Sequence, residues 1–342
     1  MQNFAELEIN IKSIIDDLKG LCSTNGLSNT AGEEIVVTSV FLYKFLNDKF
    51  VYNLHKFAKE LGITYDELIA NKEDYMDAFY DTYPQDVAFA YEDTIDYLVQ
   101  SVSDKDFYKT FDDTLIRISS YPKNDAFNID TAEGTKKPLF TPLSTYVEPS
   151  KRNAFAQNIF SYITRDRFDF GIVNEGNYDF FSTIFEYLIS DYNVASGKYA
   201  EYFTPQALSS AIAKILVHMS PIKDTIYDIY DPSAGSGSLV LHLANELGNG
   251  KFGNKARVYT QDISQKSSRF LRINMLLNGL KESLENIIEG DTLVDPAHFV
   301  IKGDSTSGLK KFDFITSNPP FKTDFSSTRN TIETNWESTD RF

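Results

Sequence analysis

Residues 225–248 read "TIYDIYDPSAGSGSLVLHLANELG", and this stretch decides the fold. Apolar residues alternate with others over 225–231, which predicts a β-strand, and a glycine-rich turn follows at once. The apolar-rich run 237–248 then predicts a helix. A strand that passes through a tight turn into a helix opens a crossover unit, in which the next strand lies parallel to the first.

The same alternation continues along the rest of the chain, with strands predicted at 256–262, 285–293 and 311–317 and a helix at 264–280. We therefore expect an α/β domain with a parallel sheet at residues 171–342. Residues 1–170 instead repeat apolar side chains at steps of three and four, and we expect a mostly helical N-terminal domain there. The proline-containing stretch 121–150 is predicted to be a long loop.

Composition and charge limit the class of protein. The chain has 342 residues, 42% of them hydrophobic, but no uninterrupted apolar run that predicts a transmembrane helix. The N-terminus does not resemble a secretory signal, and a single cysteine, Cys22, suits a reducing compartment, so we expect a cytoplasmic protein. The net charge of −16 argues against a free-standing nucleic-acid binder, which usually carries a basic face.

The turn after the first predicted strand is placed where a ligand would bind. Open parallel sheets bind ligands at the carboxyl ends of their strands, and Asp231, Gly235 and Gly237 lie between such an end and a helix. Glycine lets the backbone approach a ligand closely, and Asp231 can accept hydrogen bonds from an ammonium or hydroxyl group. The spacing is neither a dinucleotide fingerprint nor a phosphate loop. A tight connection without a ligand is the alternative.

Two more predicted strands end in carboxylates. Asp262 lies about where an acidic side chain receives the hydroxyls of a bound ribose, and Asp291 follows the third strand. The alternative for Asp262 is a helix cap, a role that Ser264 could also fill. Three acidic strand ends favour a nucleoside that bears an amine or another cation, because they would repel a triphosphate.

The last predicted strand runs into "SNPPF", residues 317–321. Pro319 and Pro320 cannot continue a strand, and each restricts the residue before it, so they form a stiff elbow. The elbow holds two oxygen acceptors, the Asn318 side chain and the Pro319 carbonyl, which suit the two hydrogens of a planar amine. Phe321 offers a flat apolar face for a ring. The alternative is a strand terminator with an Asn turn.

Together, "DPSAGSGSLV" and "SNPPF" resemble the DNA methyltransferases that methylate exocyclic amines with S-adenosylmethionine. More closely, the chain resembles the modification subunit of type I restriction–modification systems. The stretches that carry this resemblance are "FLYKFLND" (41–48), "FEYLISDYNVASGKYAEYFTPQAL" (185–208), "YTQDIS" (259–264), "RFLRINMLLNG" (269–279) and "GDTL" (290–293).

The resemblance implies a Rossmann-like methyltransferase sheet preceded by a helical domain. It also implies contacts to S-adenosylmethionine from the "YFTP" element and the glycine turn, at Glu201, Tyr202, Phe203, Thr204, Pro205, Gln206, Ser236, Gly237 and Ser238. Asp262 stands where the family usually has Glu, so its carboxylate is one methylene shorter. Asn318, Pro319, Pro320 and Phe321 match the catalytic element position by position.

The implied reaction is methyl transfer to the N6 amine of adenine in DNA. That amine is a poor nucleophile because its lone pair is delocalised into the ring. Acceptors at Asn318 and Pro319 would draw on its hydrogens, and Phe321 would stack on a base flipped out of the duplex. We expect no metal and no covalent intermediate, because the methyl sulfonium is already activated and positioning supplies much of the rate.

The resemblance also implies partners. In type I systems a separate specificity subunit recognises the DNA sequence, so an acidic chain need not hold DNA alone. The implied partners are DNA, a specificity subunit, a restriction subunit and a second modification subunit, with weak DNA binding by the isolated chain. Methyltransferase sheets of this kind continue past the catalytic element, so the domain is expected to be truncated at its C-terminal end.

Three alternatives remain at the level of sequence. The chain could be a stand-alone adenine-N6 or cytosine-N4 DNA methyltransferase, although no recognition region is visible. It could be a protein glutamine methyltransferase, although in those enzymes the Asn-Pro-Pro element usually ends in Tyr and here it ends in Phe321. It could also be a non-catalytic protein that retains the fold.

Overall fold

A computed structural model describes residues 4–84, 87–130, 136–164, 169–172, 183–188, 204–221, 225–248, 255–302, 305–320 and 324–335. The chain divides into two compact units, which we call the helical unit (Met1–Asn128 with Pro138–Ser196) and the sheet unit (Ile129–Lys137 with Gly197–Phe342). The domain limits expected from the sequence, 1–170 and 171–342, stay a prediction. Among the described helices, none is both long enough and apolar enough to cross a bilayer.

The helical unit contains α1 (Phe4–Thr24), α2 (Ala31–Leu61), α3 (Tyr65–Ala70), α4 (Lys72–Thr82), α5 (Ile95–Leu98), α6 (Phe107–Ser120), α7 (Arg152–Ile163) and α8 (183–188). Helix α2 begins after Thr30, whose hydroxyl accepts a hydrogen bond from the Glu33 N–H. It ends at Gly62, whose φ of 73° is a left-handed conformation that favours glycine. The helical N-terminal half expected from the periodicity is therefore confirmed.

The core of the helical unit is rich in phenylalanine. Phe41 and Phe45 of α2 contact Phe170 edge to face, with ring centroids 5.3 and 5.5 Å apart. Asp48 holds the same segment in place, because its carboxylate accepts hydrogen bonds from the Phe170 N–H at 3.0 Å and from Lys44 Nζ at 2.7 Å. Buried aromatic pairs and a buried carboxylate thus fix residues 169–172 against α2.

The sheet unit contains the strands β1 (Ile129–Asp130), β2 (Lys136–Lys137), β3 (Tyr227–Asp231), β4 (Ala256–Asp262), β5 (Ile287–Glu289), β6 (Phe299–Lys302), β7 (Ser305–Leu309) and β8 (Phe314–Ile315). Its helices are α9 (Gln206–Met219), α10 (Ser238–Leu247), α11 (Gln265–Leu277) and α12 (Ser326–Asn335). Four strands form a sheet in the order β5-β4-β3-β8, and every neighbouring pair is parallel. The predicted α/β class with a parallel sheet is confirmed.

The strand lengths reflect how the sheet is buried. β4 spans the predicted residues, whereas β8 pairs with β3 through only two residues and ends the described sheet on that side. Phe314 is buried, but Ile315 on the opposite face is 61% exposed. The predicted strand 311–317 is therefore too long, because only Phe314 and Ile315 are register partners of β3. Phe312 lies outside the strand, and its ring stacks on Tyr230 with centroids 4.6 Å apart.

Two short antiparallel pairs were not anticipated. The predicted loop 121–150 contains β1 and β2, which pair with each other. β6 and β7 form a hairpin. The ring of His298, just before that hairpin, lies edge-on to Tyr230 and Tyr259, each at a centroid distance of 5.3 Å. These rings cover one face of β3 and β4 beside the base of the hairpin.

Candidate active site

The carboxyl ends of the four parallel strands lie on one edge of the sheet, and polar side chains are concentrated there. Asp231 ends β3, Asp262 ends β4 and Glu289 ends β5, while Asn318 follows β8 by three residues. Asp262 and Glu289 are register partners in the β4–β5 pair. This edge is where an open parallel sheet binds its ligands.

The glycine turn between β3 and α10 has the backbone that its sequence predicts. Gly235 and Gly237 have φ angles of 55° and 87°, a left-handed conformation that residues with a Cβ atom rarely adopt. A Cβ atom at Gly237 would also lie 2.2 Å from a methyl carbon of Leu271 in α11. One turn further along the same helix, Asn274 Nδ2 donates to the Ser236 carbonyl at 3.2 Å. The positive φ and this close approach to α11 together favour glycine at position 237.

Asp262 braces this turn. Its Oδ2 accepts a hydrogen bond from the Gly235 N–H and its Oδ1 accepts one from the Ser264 N–H, both at 2.8 Å. The N-cap of α11 is Ser264, whose hydroxyl accepts from the Ser267 N–H. Each carboxylate oxygen can accept more than one hydrogen bond, so the bracing leaves room for a ligand hydroxyl. Burial raises the pKa of Asp262 above its ordinary value.

Asp231 is the most deeply buried acid of the edge, with 1% of its surface exposed. Its Oδ1 accepts a hydrogen bond from the Ser233 N–H at 2.9 Å. Burial raises the pKa of Asp231 to about 7, and the neighbouring charge of Asp262 acts in the same direction. Among the described residues, neither carboxylate has a lysine or arginine partner. The two acids are thus chemically suited to a ligand that carries positive charge and hydroxyl groups.

The other predicted residues of the glycine turn are placed differently. The side chains of Ser236 and Ser238 are buried, and their hydroxyl oxygens lie 3.5 Å apart. Asp291 accepts hydrogen bonds from the Leu293 N–H and from the Thr328 hydroxyl of α12, at 2.9 and 3.3 Å. A ligand contact by any of these three residues stays a prediction.

Glu289 is an acid of this edge that sequence reasoning missed. One of its carboxylate oxygens is buried and has no hydrogen-bond partner among the described residues. Thr292 was missed as well: its hydroxyl donates to the Pro232 carbonyl at 2.7 Å and ties the loop after β5 to the glycine turn. The available signal was weak, because both residues only flank the more conspicuous Asp291.

The Asn-Pro-Pro element lies beside the glycine turn. The hydroxyl oxygens of Ser233 and Ser317 are 2.8 Å apart, within hydrogen-bond distance. Asn318 is half-buried, and its Nδ2 donates to the Thr204 hydroxyl oxygen at 3.1 Å. The structure therefore brings together three predicted motifs: the glycine turn, the start of the Asn-Pro-Pro element and the end of the "YFTP" element.

The remaining predicted residues are only partly described. Pro205 is the N-cap of α9 and Gln206 is the first residue of that helix, close to where the sequence placed them. Pro319 and Pro320 are exposed. Glu201, Tyr202, Phe203 and Phe321 lie outside the described residues.

Comparison with known proteins agrees with this geometry. Residues 176–341 match the family model described as N-6 DNA Methylase. The chain is 36% identical over 147 residues, or 42% of its length, to the type I restriction enzyme MpnII methylase subunit of Mycoplasma pneumoniae. It is 26% identical over 166 residues, or 47% of its length, to the type I restriction enzyme HindI methylase subunit of Haemophilus influenzae. These matches span only 26% and 33% of the two relatives.

The fold has a solved counterpart. The crystal structure of the type I restriction–modification system methyltransferase subunit from Streptococcus thermophilus superposes with a TM-score of 0.66. The match covers 98% of this chain and 67% of that one, at 19% sequence identity. At that identity the likeness shows a shared fold, and it confirms the predicted methyltransferase sheet with a helical N-terminal region. The match of residues 176–341 to the N-6 DNA Methylase family model agrees with the resemblance of the motifs.

Proposed function

We propose that this chain transfers a methyl group from S-adenosylmethionine to the N6 amine of adenine in DNA, as the modification subunit of a type I restriction–modification complex. The observation that carries the proposal is the 2.8 Å contact between the Ser233 and Ser317 hydroxyls. It joins the turn proposed to hold the methyl donor to the element proposed to hold the amine. A donor and an acceptor bound on this one edge would meet without a large motion.

S-adenosylmethionine fits the acidic part of the edge. It combines a sulfonium, an ammonium group and two ribose hydroxyls, and it would supply a methyl group that is activated by the positive charge on sulfur. Asp231 would accept from a cationic or hydroxyl group, and Asp262 from a ribose hydroxyl. Glu289, with one buried oxygen that lacks a partner among the described residues, is a third acceptor nearby. The "YFTP" element, apart from the Thr204 hydroxyl, and the backbone of Ser236, Gly237 and Ser238 complete the proposed pocket.

Asn318 and Pro319 would receive the target amine. The Asn318 side-chain oxygen and the Pro319 carbonyl would each accept one hydrogen bond from the target amine. These two hydrogen bonds favour a more pyramidal and more nucleophilic amine nitrogen. Pro319 and Pro320 keep these two acceptors in place because both residues restrict the backbone. Phe321 would stack on the flipped base.

The proposed partners follow from the relatives and the charge. Both curated relatives are methylase subunits of type I restriction enzymes by name. The chain carries a net charge of −16, so we propose that a specificity subunit supplies the cationic DNA contacts. A restriction subunit and a second methylase subunit would complete the complex, which we place in the cytoplasm, where its DNA substrate is found.

The test is a methyl-transfer assay with labelled S-adenosylmethionine on DNA and on protein, with the complex isolated from its own cells. We expect label on N6 of adenine, and a loss of at least about a thousandfold in Asn318→Ala because an acceptor at the reacting atom is removed. Cofactor affinity, measured by calorimetry, should stay within about threefold, since a lost hydrogen bond at the amine does not touch the cofactor. Label on N4 of cytosine or on a protein glutamine would overturn the proposed substrate, and full activity of Asn318→Ala would overturn its role.

A further inference from the structure

The side-chain amide of Asn318 has two chemically different ends, and only one can serve the proposed reaction. Its oxygen accepts a hydrogen bond from an amine, whereas its NH₂ group donates and would face the hydrogens of that amine. The terminal torsion of asparagine is broad and roughly two-fold, so an amide without a partner presents either end. A neighbour that accepts a hydrogen bond from the NH₂ group would favour the orientation in which the oxygen faces the amine.

Thr204 has the position of that neighbour. Its hydroxyl oxygen accepts a hydrogen bond from Asn318 Nδ2 at 3.1 Å. Thr204 is 8% exposed and Asn318 is half-buried, so water competes weakly for this contact. While Thr204 holds the nitrogen, the oxygen of the same amide points to the other side and remains available to a substrate.

Both residues are mounted on packed parts of the sheet unit. Thr204 precedes Pro205, the N-cap of α9, and α9 packs along α10, which starts at the glycine turn. Asn318 follows Thr316, whose N–H donates to the Tyr230 carbonyl of β3 at 2.9 Å. The two prolines after Asn318 restrict the chain further. The distance between the Thr204 hydroxyl and the Asn318 amide is thus set by packed elements. Helix α9 packs on α10, and β8 pairs with β3.

We propose that Thr204 is a positioning residue that accepts a hydrogen bond from Asn318 Nδ2 and so turns Asn318 Oδ1 toward the target amine. This inference rests on the proposed function. It assigns the Thr204 hydroxyl a task other than the cofactor contact that the "YFTP" resemblance implies. Losing the hydroxyl then slows the methyl-transfer step and leaves the affinity for S-adenosylmethionine nearly unchanged.

The experiment compares Thr204→Val, which keeps the side-chain shape without the hydroxyl, with Thr204→Ser, which keeps the hydroxyl. Thr331→Val is the matched control, because the Thr331 hydroxyl donates to the Ser327 carbonyl of its own helix. Each variant is isolated within the native complex. The measurements are the single-turnover rate at saturating DNA and S-adenosylmethionine, and the Kd of S-adenosylmethionine by calorimetry.

We expect Thr204→Val to lower the single-turnover rate about tenfold, the size of effect that one orienting hydrogen bond supports. Its cofactor Kd should stay within about threefold of wild type, and Thr204→Ser should recover most of the rate. The inference is overturned if Thr204→Val weakens cofactor binding at an unchanged rate, if Ser fails as badly as Val, or if Val behaves like the Thr331 control. If the wild-type complex does not methylate DNA, the proposed function itself has failed, which is a separate result.

Discussion

Two buried carboxylates, Asp93 in the helical unit and Asp231 in the sheet unit, are compensated in opposite ways. In the helical unit, Asp93 is fully buried and accepts hydrogen bonds from Arg117 Nε at 2.7 Å and from the Tyr121 hydroxyl at 2.6 Å. In the sheet unit, Asp231 is 1% exposed, and its Oδ1 accepts from two neutral donors, the N–H and the hydroxyl of Ser233. Its pKa is raised to about 7. One carboxylate is neutralised by the protein, and the other has no cation beside it among the described residues.

This difference separates structural acids from candidate ligand acids. A buried carboxylate with a cation and full hydrogen bonding can be maintained by the fold, whereas an uncompensated one costs stability unless it becomes protonated. Asp48 lies between the two cases, because burial raises its pKa to about 6 against the opposing effect of Lys44. A carboxylate kept at such a cost at the ligand-binding edge of a sheet is a candidate functional group.

The largest expected effect is on stability as a function of pH. The pKa of Asp231 is higher in the folded protein than in the unfolded chain, so the folded state holds the proton more tightly. The corresponding stabilisation is fully present below about pH 4 and is lost as the pH rises to about 7. It amounts to roughly 4 kcal/mol over that window. Asp231→Asn removes this titration. The urea midpoint of the variant, compared with that of wild type at the same pH, should therefore increase as the pH rises.

If the urea midpoints of wild type and Asp231→Asn change in parallel from pH 4 to 8, Asp231 does not carry the uncompensated proton affinity described above. Ser233→Ala serves as the control. It removes a hydroxyl that donates to Asp231 Oδ1 at 3.4 Å but keeps the backbone N–H that donates at 2.9 Å. Because the hydroxyl lowers the pKa of Asp231, the variant should keep the wild-type loss of stability with rising pH, shifted slightly to higher pH.

The second effect concerns the neutralised carboxylate of the helical unit. Asp93→Ala leaves Arg117, the Tyr121 hydroxyl and the Ala90 N–H without their acceptor, and we expect it to lower the free energy of unfolding by about 3 kcal/mol. Urea denaturation measures this loss. Lys109→Ala breaks an exposed ion pair with Asp106 and should change little. A loss at Asp93 no larger than at Lys109 would show that the buried network does not stabilise the unit.

The sequence predicted the parts of the site that depend on local chemistry. The glycine turn, the full extent of β4 and the helix that starts beside Pro205 follow from periodicity and from the backbone limits of glycine and proline. The contact between the Ser233 and Ser317 hydroxyls joins residues 84 positions apart and depends on β8 lying next to β3. The raised pKa of Asp231 likewise depends on burial, which no local pattern reports.

The hairpin of β6 and β7 escaped prediction for a different reason. "STSGL" at 305–309 has a weak apolar pattern, and the residues that flank the pair, His298 and Lys310, contact rings of β3 and β4. Phe312 stacks on Tyr230, and Lys310 lies 4.7 Å from the centre of the Tyr259 ring. Strand pairing that is decided by tertiary packing overrides the intrinsic preference of the residues involved.

The third effect tests whether Asp262 braces the glycine turn. Asp262 uses both oxygens to accept backbone N–H groups, and Asp262→Asn replaces one oxygen by a donor that faces a donor. We expect a loss of about 2 kcal/mol in the free energy of unfolding, measured with urea. Asp324→Asn is the control, since Asp324 accepts both of its contacts through one exposed oxygen that Asn retains. Equal behaviour of the two variants would contradict the bracing role.

The smallest effect is on the affinity for S-adenosylmethionine, and it tests whether Asp231 is a ligand-binding acid or a structural acid like Asp93. A cationic ligand prefers the ionised form of Asp231, so binding releases the proton that this carboxyl holds below about pH 7. Between pH 8 and pH 6 the ionised fraction of a group with that pKa falls about tenfold, and the Kd should rise by about the same factor. Asp231→Asn should bind S-adenosylmethionine more weakly at pH 8, and its Kd should no longer change between pH 8 and pH 6.

S-adenosylhomocysteine, which has the same ammonium group but no sulfonium, is the control ligand. Any change of its Kd with pH in Asp231→Asn comes from titration of the ligand and not of Asp231. A wild-type Kd that is flat over this range would mean that Asp231 does not face the charge of the ligand, and its burial would then need a structural explanation like that of Asp93.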